Sequence, residues 1–100
     1  MRIEILSDAE DDLITGFTFY ERQCVGVGDY FLNSLYSDID SLLVYAGIHQ
    51  TVFGYYRALS KRFPYSIYYR LDQPAKLVQV HRVLDCRRNP RWIKKQLGGK

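Results

Sequence analysis

The sequence predicts an α+β domain of element order β-α-α-β-β-β-α. Three observations carry this reading: two successive stripes of apolar residues at steps of three and four, later runs rich in aromatic and β-branched residues, and an asparagine-proline pair before a short final apolar periodicity. One strand comes first and a three-stranded antiparallel meander comes late, so the compact arrangement is a small, antiparallel-rich sheet with the helical hairpin on one face. The 100 residues suit a single domain over 1–100, which buries roughly 60–70% of its extended-chain surface without metal or disulfide help.

Residues 2–6 read as a short N-terminal strand. Ser7 with Glu10 three positions later forms a capping-box signature that ends the strand and starts a helix. Ala9, Leu13, Phe17, Tyr20 and Cys24 then draw one apolar stripe, with Asp8, Glu10, Asp11 and Asp12 where a helix N-terminus favours acids. Gly16 weakens this helix without stopping it. Gly26 and Gly28 act as turn residues, Asp29 can cap the second helix, and Phe31, Leu35, Ile39, Leu42 and Ala46 make its apolar stripe, closed by Gly47. Residues 48–54 lose the helical period and read as a connector. Strands come next at 55–60, 65–71 and 78–84, the last two joined by the turn Asp72-Gln73-Pro74-Ala75. Asn89-Pro90 supplies a cap and an N1 proline for a short last helix with Trp92, Ile93 and Leu97.

Charge is strongly polarised along the chain. Residues 1–54 hold two basic and nine acidic side chains, a net −7, whereas residues 55–100 hold twelve and two, a net +10. A basic half of this kind meets phosphate or an acidic protein surface. No segment has the apolar length of a signal peptide or a membrane span, so a soluble cytoplasmic protein with no membrane partner is expected. The only cysteines, Cys24 and Cys86, lie far apart and outside any Cys-x-x-Cys pair. They read as reduced packing residues, and neither a disulfide framework nor a metal site is expected.

Chemistry-bearing constellations are sparse. Only His49 and His81 titrate near neutrality unaided, and each reads as a structural or surface histidine rather than a catalyst. No nucleophile–base pair, metal-ligand set or phosphate-cradling loop is present, so no catalytic residue and no cofactor is assigned. The tyrosines at 55, 56, 65, 68 and 69 fit either a base-stacking platform or a half-buried sheet, and the sheet is the better fit. Arg57, Lys61, Arg62, Arg82, Arg87 and Arg88, with Trp92, bunch toward one end of the expected sheet and form the candidate target-binding surface.

Three segments, DAEDDLITGFTFYERQCVGVGDYFLNSL, YYRALSKRFPYSIYYRLD and HRVLDCRRNPRWIKKQL, together resemble the ParE/RelE superfamily of toxins from bacterial type II toxin–antitoxin systems. The most specific elements are Lys61-Arg62-Phe63-Pro64-Tyr65, Phe19-Tyr20-Glu21 with Gly26-x-Gly28, and Arg87-Arg88-Asn89-Pro90. The resemblance implies a sheet-plus-hairpin toxin neutralised by a cognate antitoxin, as a homodimer or a toxin–antitoxin hetero-oligomer. It also implies one of two activities: ParE-type members bind DNA gyrase, and RelE-type members cut mRNA on the ribosome as metal-independent endoribonucleases. Ser66 stands where the nuclease branch usually carries an arginine, and that branch's C-terminal tyrosine has no counterpart, Trp92 being the nearest aromatic. Arg57 and one of Arg87 or Arg88 match its basic positions. The departures favour the ParE type, with the ribonuclease as alternative and an inactive descendant that only binds an antitoxin as a third reading.

Overall fold

A computed structural model describes residues 1–98; Gly99 and Lys100, included in the domain expected over 1–100, lie outside the described residues. Strand β1 (Arg2–Ile5) runs directly into helix α1 (Ser7–Gln23). The Leu6 N–H still donates to the Val80 carbonyl at 3.0 Å, while the Leu6 carbonyl already accepts from Glu10 N–H at 3.0 Å. Leu6 is therefore the last ladder residue and the N-cap at once. The expected capping box does not form, and no side chain caps α1, because the sheet fixes the helix start one residue before Ser7.

Helix α2 (Val27–Asp40) packs antiparallel to α1. Its start also differs from expectation. Gly26 alone is the turn residue, with φ +94°, while Gly28 sits buried inside the helix, where an added Cβ would stand 2.7 Å from the Phe17 ring. The cap is Glu21 rather than Asp29: its carboxylate accepts from Gly26 N–H at 3.0 Å and from Gly28 N–H at 2.9 Å. Gly16 likewise answers to packing, since a Cβ there would lie 2.4 Å from Phe31 Cζ. The second stripe is buried at Phe31, Leu35, Ile39 and Leu42, half-buried at Ala46, and interrupted at Ser41 before a single turn, α3 (Leu42–Tyr45). Ser41 Oγ donates to the Asp38 carbonyl at 2.6 Å, a back-bond that competes with the helical ladder.

The remaining elements are β2 (Thr51–Val52), β3 (Tyr55–Leu59), β4 (Tyr65–Asp72), β5 (Leu77–Asp85) and α4 (Pro90–Gln96). They complete a five-stranded sheet of order β1-β5-β4-β3-β2, in which only the β1–β5 pair is parallel. Strand β2 lies in the stretch read as a connector. Its hairpin turns at Phe53 and Gly54, both with positive φ (+54° and +84°), the pattern of a type I′ turn without the usual Asn or Asp to announce it.

The helical hairpin covers one face of the sheet, over Ile67, Tyr69, Val78, Val80 and Val83. On the opposite face α4 buries Ile93 and Leu97 against Tyr55, Tyr68 and Leu84. Tyr55 and Tyr68–Tyr69 are thus core residues, as the sheet reading held. Asn89 caps α4 through its side-chain oxygen, which accepts from Arg91 N–H at 2.7 Å, with Pro90 in the first turn. The two cysteines depart from expectation: Cys24 and Cys86 are both free and exposed, because Cys24 falls after the last turn of α1 and Cys86 in the turn beyond β5.

Two details of β5 position the site. Tyr68 pairs with Arg82 but Tyr69 with Val80, so His81 is an extra residue in a bulge, which re-aims its neighbour. Strand β1 pairs only with residues 77–80 of β5. Beyond Val80 the outer edge of β5 has no strand beside it.

Candidate functional site

A cleft of about 400 Å³ runs along this free edge of β5. Asp12, Thr15 and Phe19 of α1 form one wall, Arg88 and Trp92 the other, and Val83, Leu84 and Asp85 with Tyr65 make the floor. The outward backbone groups of an edge strand are a template for an added strand, and one of them is already occupied. Asp12 Oδ2 accepts from Val83 N–H at 2.9 Å, and the same carboxylate receives Arg82 Nε at 2.7 Å and Nη2 at 2.8 Å. Arg82 Nη1 turns the other way, to the Gln96 carbonyl at 3.0 Å and its side-chain oxygen at 3.2 Å. One guanidinium therefore joins α1, β5 and α4. The Asp12 hydrogen bonds raise the Arg82 pKa above its ordinary value.

Arg87 stands at the mouth of the cleft. It forms a fork with Asp85, Nε to Oδ1 at 3.0 Å and Nη2 to Oδ2 at 2.8 Å, and stays mostly in solvent. That fork holds the Asp85 carboxyl below its usual value and raises the arginine. Behind it lies an aromatic cluster of Tyr20, Phe31, Phe63 and Tyr65, with ring centroids 4.9–5.2 Å apart in the pairs around Tyr20, Phe31 and Phe63. Burial pushes the Tyr65 hydroxyl up to about 12 and raises Tyr20, with Arg87 opposing both. Arg88 sits over Trp92, its Cζ 3.9 Å from the ring centroid, a cation–π contact that holds the guanidinium at the cleft wall.

The seven residues selected from the sequence do not form one patch. Arg82, Arg88 and Trp92 line the β5 cleft and Arg87 borders it. Arg62 sits over Tyr30 on the outer side of α2, 6.0 Å from the ring centroid. Lys61 belongs to a second cleft, of about 340 Å³, between α3 and the free end of β3, with Asp38, Tyr45, Ile48, His49 and Leu59. Arg57 is half-buried on the α4 face, beside Tyr68, whose hydroxyl is raised by burial against the pull of Arg57. Asp12, Thr15 and Phe19 were not selected from the sequence, because they sit some 70 residues from the strand they flank and only the fold brings them there.

The two histidines are held differently. His49 Nδ1 lies 2.6 Å from the Tyr69 hydroxyl, which also accepts from Gly47 N–H at 2.9 Å. His81 Nε2 is buried without a partner. Burial lowers the pKa of both. Ser66, at the position the nuclease branch fills with arginine, is wholly buried, and its Oγ has no hydrogen-bond partner. Among the described residues, no three His, Cys, Asp or Glu side chains gather as metal ligands, and no helix is long and apolar enough to cross a membrane.

No protein-family model matches the sequence, and no curated protein matches it. A solved structure does match: a chain from the "Chromosomal ParDE TA system from P. aeruginosa" superposes with a TM-score of 0.73, covering 83% of this chain and 92% of that one at 19% identity. The fold is that of a ParDE-system chain. The likeness to the ParDE chain reaches across the sheet-plus-hairpin architecture that the sequence predicted, although fewer than one residue in five is shared.

Proposed function

We propose that this chain is a ParE-type toxin of a type II toxin–antitoxin system, a cytoplasmic protein that arrests growth by binding DNA gyrase and is neutralised by a cognate antitoxin. The observation that carries the proposal is the ParDE-system fold combined with an open strand edge lined by Arg88, Trp92 and Phe19. That edge suits an extended, acidic and amphipathic segment. Backbone groups of β5 would take its main chain, Phe19 and Trp92 its apolar side chains, and Arg87 and Arg88 its carboxylates.

Binding is favoured over catalysis on three grounds. Metal-free RNA cleavage needs a proton acceptor and cations at the reacting phosphate, yet His49 is hydrogen-bonded to Tyr69, His81 Nε2 is buried and Ser66 is wholly buried. Of the selected cations, Arg82 is engaged by Asp12 and Arg87 by Asp85. The third ground is geometric: Arg57 emerges away from the β5 cleft, so the basic positions of the nuclease branch do not converge in it. Of the seven residues selected from the sequence, Arg87, Arg88 and Trp92 are proposed as target-contacting on this reading, Arg82 as the residue that holds the cleft together, and Arg57, Lys61 and Arg62 lie outside it.

Expression without a partner tests the proposal. Induction is expected to stop growth with signs of DNA damage, co-expression of the adjacent antitoxin frame to restore it, and Arg87→Ala with Arg88→Ala to abolish toxicity while the protein stays folded. Unimpaired growth with abundant soluble protein would leave the inactive-descendant reading. A fully toxic double variant would remove the arginines from the interface.

A further inference from the structure

The face of the sheet that carries α4 holds a field of cations separate from the β5 cleft floor. Arg91, Lys94 and Lys95 stand exposed on α4, with Arg88 just before it. Arg57 and Arg70 reach the same face from the strands, because side chains alternate and their neighbours two positions away, Tyr55 and Tyr68, pack against α4. None of these six has an acidic partner within ion-pair distance among the described residues. Acids lie at its margins: Asp85, whose carboxylate is taken by Arg87 and which feels the charge of Arg88; Glu4 on β1, held by Gln79; Asp72 at the β4–β5 turn, bonded to Ala75 N–H; and Asp8 across a cleft from Gln96 and Leu97.

Phe53 adds an independent observation. It is 44% exposed at the tip of the β2–β3 hairpin, 5.9 Å from Lys94 Nζ to the ring centroid, and its backbone is left-handed at φ +54°. A bulky residue in that region is strained, and strain of this kind gathers at functional surfaces. Two of the cations are also pre-set. Arg88 lies over Trp92 at 3.9 Å and Arg70 over Tyr55 at 4.2 Å, contacts that hold two guanidinium groups, the side chain best suited to phosphate, in place on this face.

We propose that this face, with Phe53 at its rim, binds the phosphate backbone of duplex DNA. The inference rests on the α4 face alone and does not need the toxin reading. An acidic protein arm would require apolar seats, and the large exposed apolar side chains here are Phe53 and Leu59. A single strand is usually tracked by a groove with open aromatic rings. Here the rings of Trp92 and Tyr55 are covered by guanidinium groups, and the clefts open at the flanks of the cation field. A stiff duplex spans a broad, ungrooved face.

Fluorescence anisotropy of the full chain with a labelled duplex of about 20 base pairs, over 50–200 mM salt, tests this. Four phosphate contacts predict a log–log salt slope of roughly −3.6, and therefore about a hundredfold loss of affinity over that range. Replacing Arg91, Lys94 and Lys95 together by glutamine is expected to flatten the slope by roughly 2 to 3. Removing charge elsewhere, with Arg2→Gln and Arg22→Gln, is expected to leave it unchanged. The proposal is overturned if no binding is seen at the lowest salt or if the control variant loses as much as the α4 variant. It is equally overturned if the same-sequence single strand or a glutamate-rich peptide competes better than unlabelled duplex; the peptide result would make this face a protein-docking surface.

Discussion

Replacing Asp12 by alanine should cost more than any other single change to a charged residue in the described chain. The carboxylate accepts from Arg82 Nε, Arg82 Nη2 and Val83 N–H at 2.7–2.9 Å, and its loss leaves a guanidinium and an edge-strand amide without that partner. Removing one member of a buried pair costs roughly 3–5 kcal/mol. Two features lower the figure here: the side chains keep 17% and 12% exposure, and Arg82 retains both Gln96 oxygens. The expected loss is about 2–3 kcal/mol, which for a domain of this size lowers Tm by roughly 8–24 °C. Asp12→Asn keeps an acceptor and should lose about half as much. Arg82→Ala should add little once Asp12 is gone, since the two act as one unit. Thermal unfolding followed by circular dichroism reads these shifts, and hydrogen exchange should accelerate at Val83. A change in Tm below about 3 °C in Asp12→Ala would refute the argument that this carboxylate ties α1 to the sheet.

Gly16→Ala should destabilise by about 1–3 kcal/mol, because the new methyl meets the Phe31 ring at 2.4 Å; a melt that shows the usual gain from Gly to Ala in a helix would contradict that packing. Phe53→Asn should raise stability by up to about 1 kcal/mol by relieving left-handed strain at the hairpin, while weakening DNA binding; a loss on denaturant titration would mark the ring as a packing residue. Stability should fall as pH drops below the unfolded histidine value of 6.5. Burial lowers the folded pKa of His49 and His81, so the neutral forms stabilise the fold above 6.5 and that contribution is lost as pH falls through the folded values. A Tm independent of pH between 7 and 5 would contradict the burial of both rings.

Elements specified by local chemistry were legible in the sequence. The Phe31-Leu35-Ile39-Leu42 stripe, the Asn89-Pro90 helix start and the tyrosine-rich strands each depend on neighbours within a few residues. What escaped was specified from a distance. Gly16 reads as a helix weakener until Phe31 is placed against it, and the start of α2 is capped by Glu21 of the preceding helix rather than by Asp29. Strand β2 was hidden by a Phe53-Gly54 turn whose first residue carries no turn signature. The candidate site was legible in part for the same reason. Charge counting found Arg82 and Arg88, which share a cleft with Trp92, and also Lys61 and Arg57, which project elsewhere. Counting could not show that Arg82 is bound to Asp12 across the fold. Nor could it show that β1 stops short and leaves the β5 edge open.

The most direct test of the toxin reading is DNA gyrase supercoiling measured with purified chain, beside mRNA cleavage on translating ribosomes with the same preparation. Gyrase is expected to be inhibited, with the inhibition lost in the Arg87→Ala, Arg88→Ala variant and reversed by the antitoxin, and mRNA left intact. Ribosome-dependent cleavage of mRNA with gyrase unaffected would contradict this expectation.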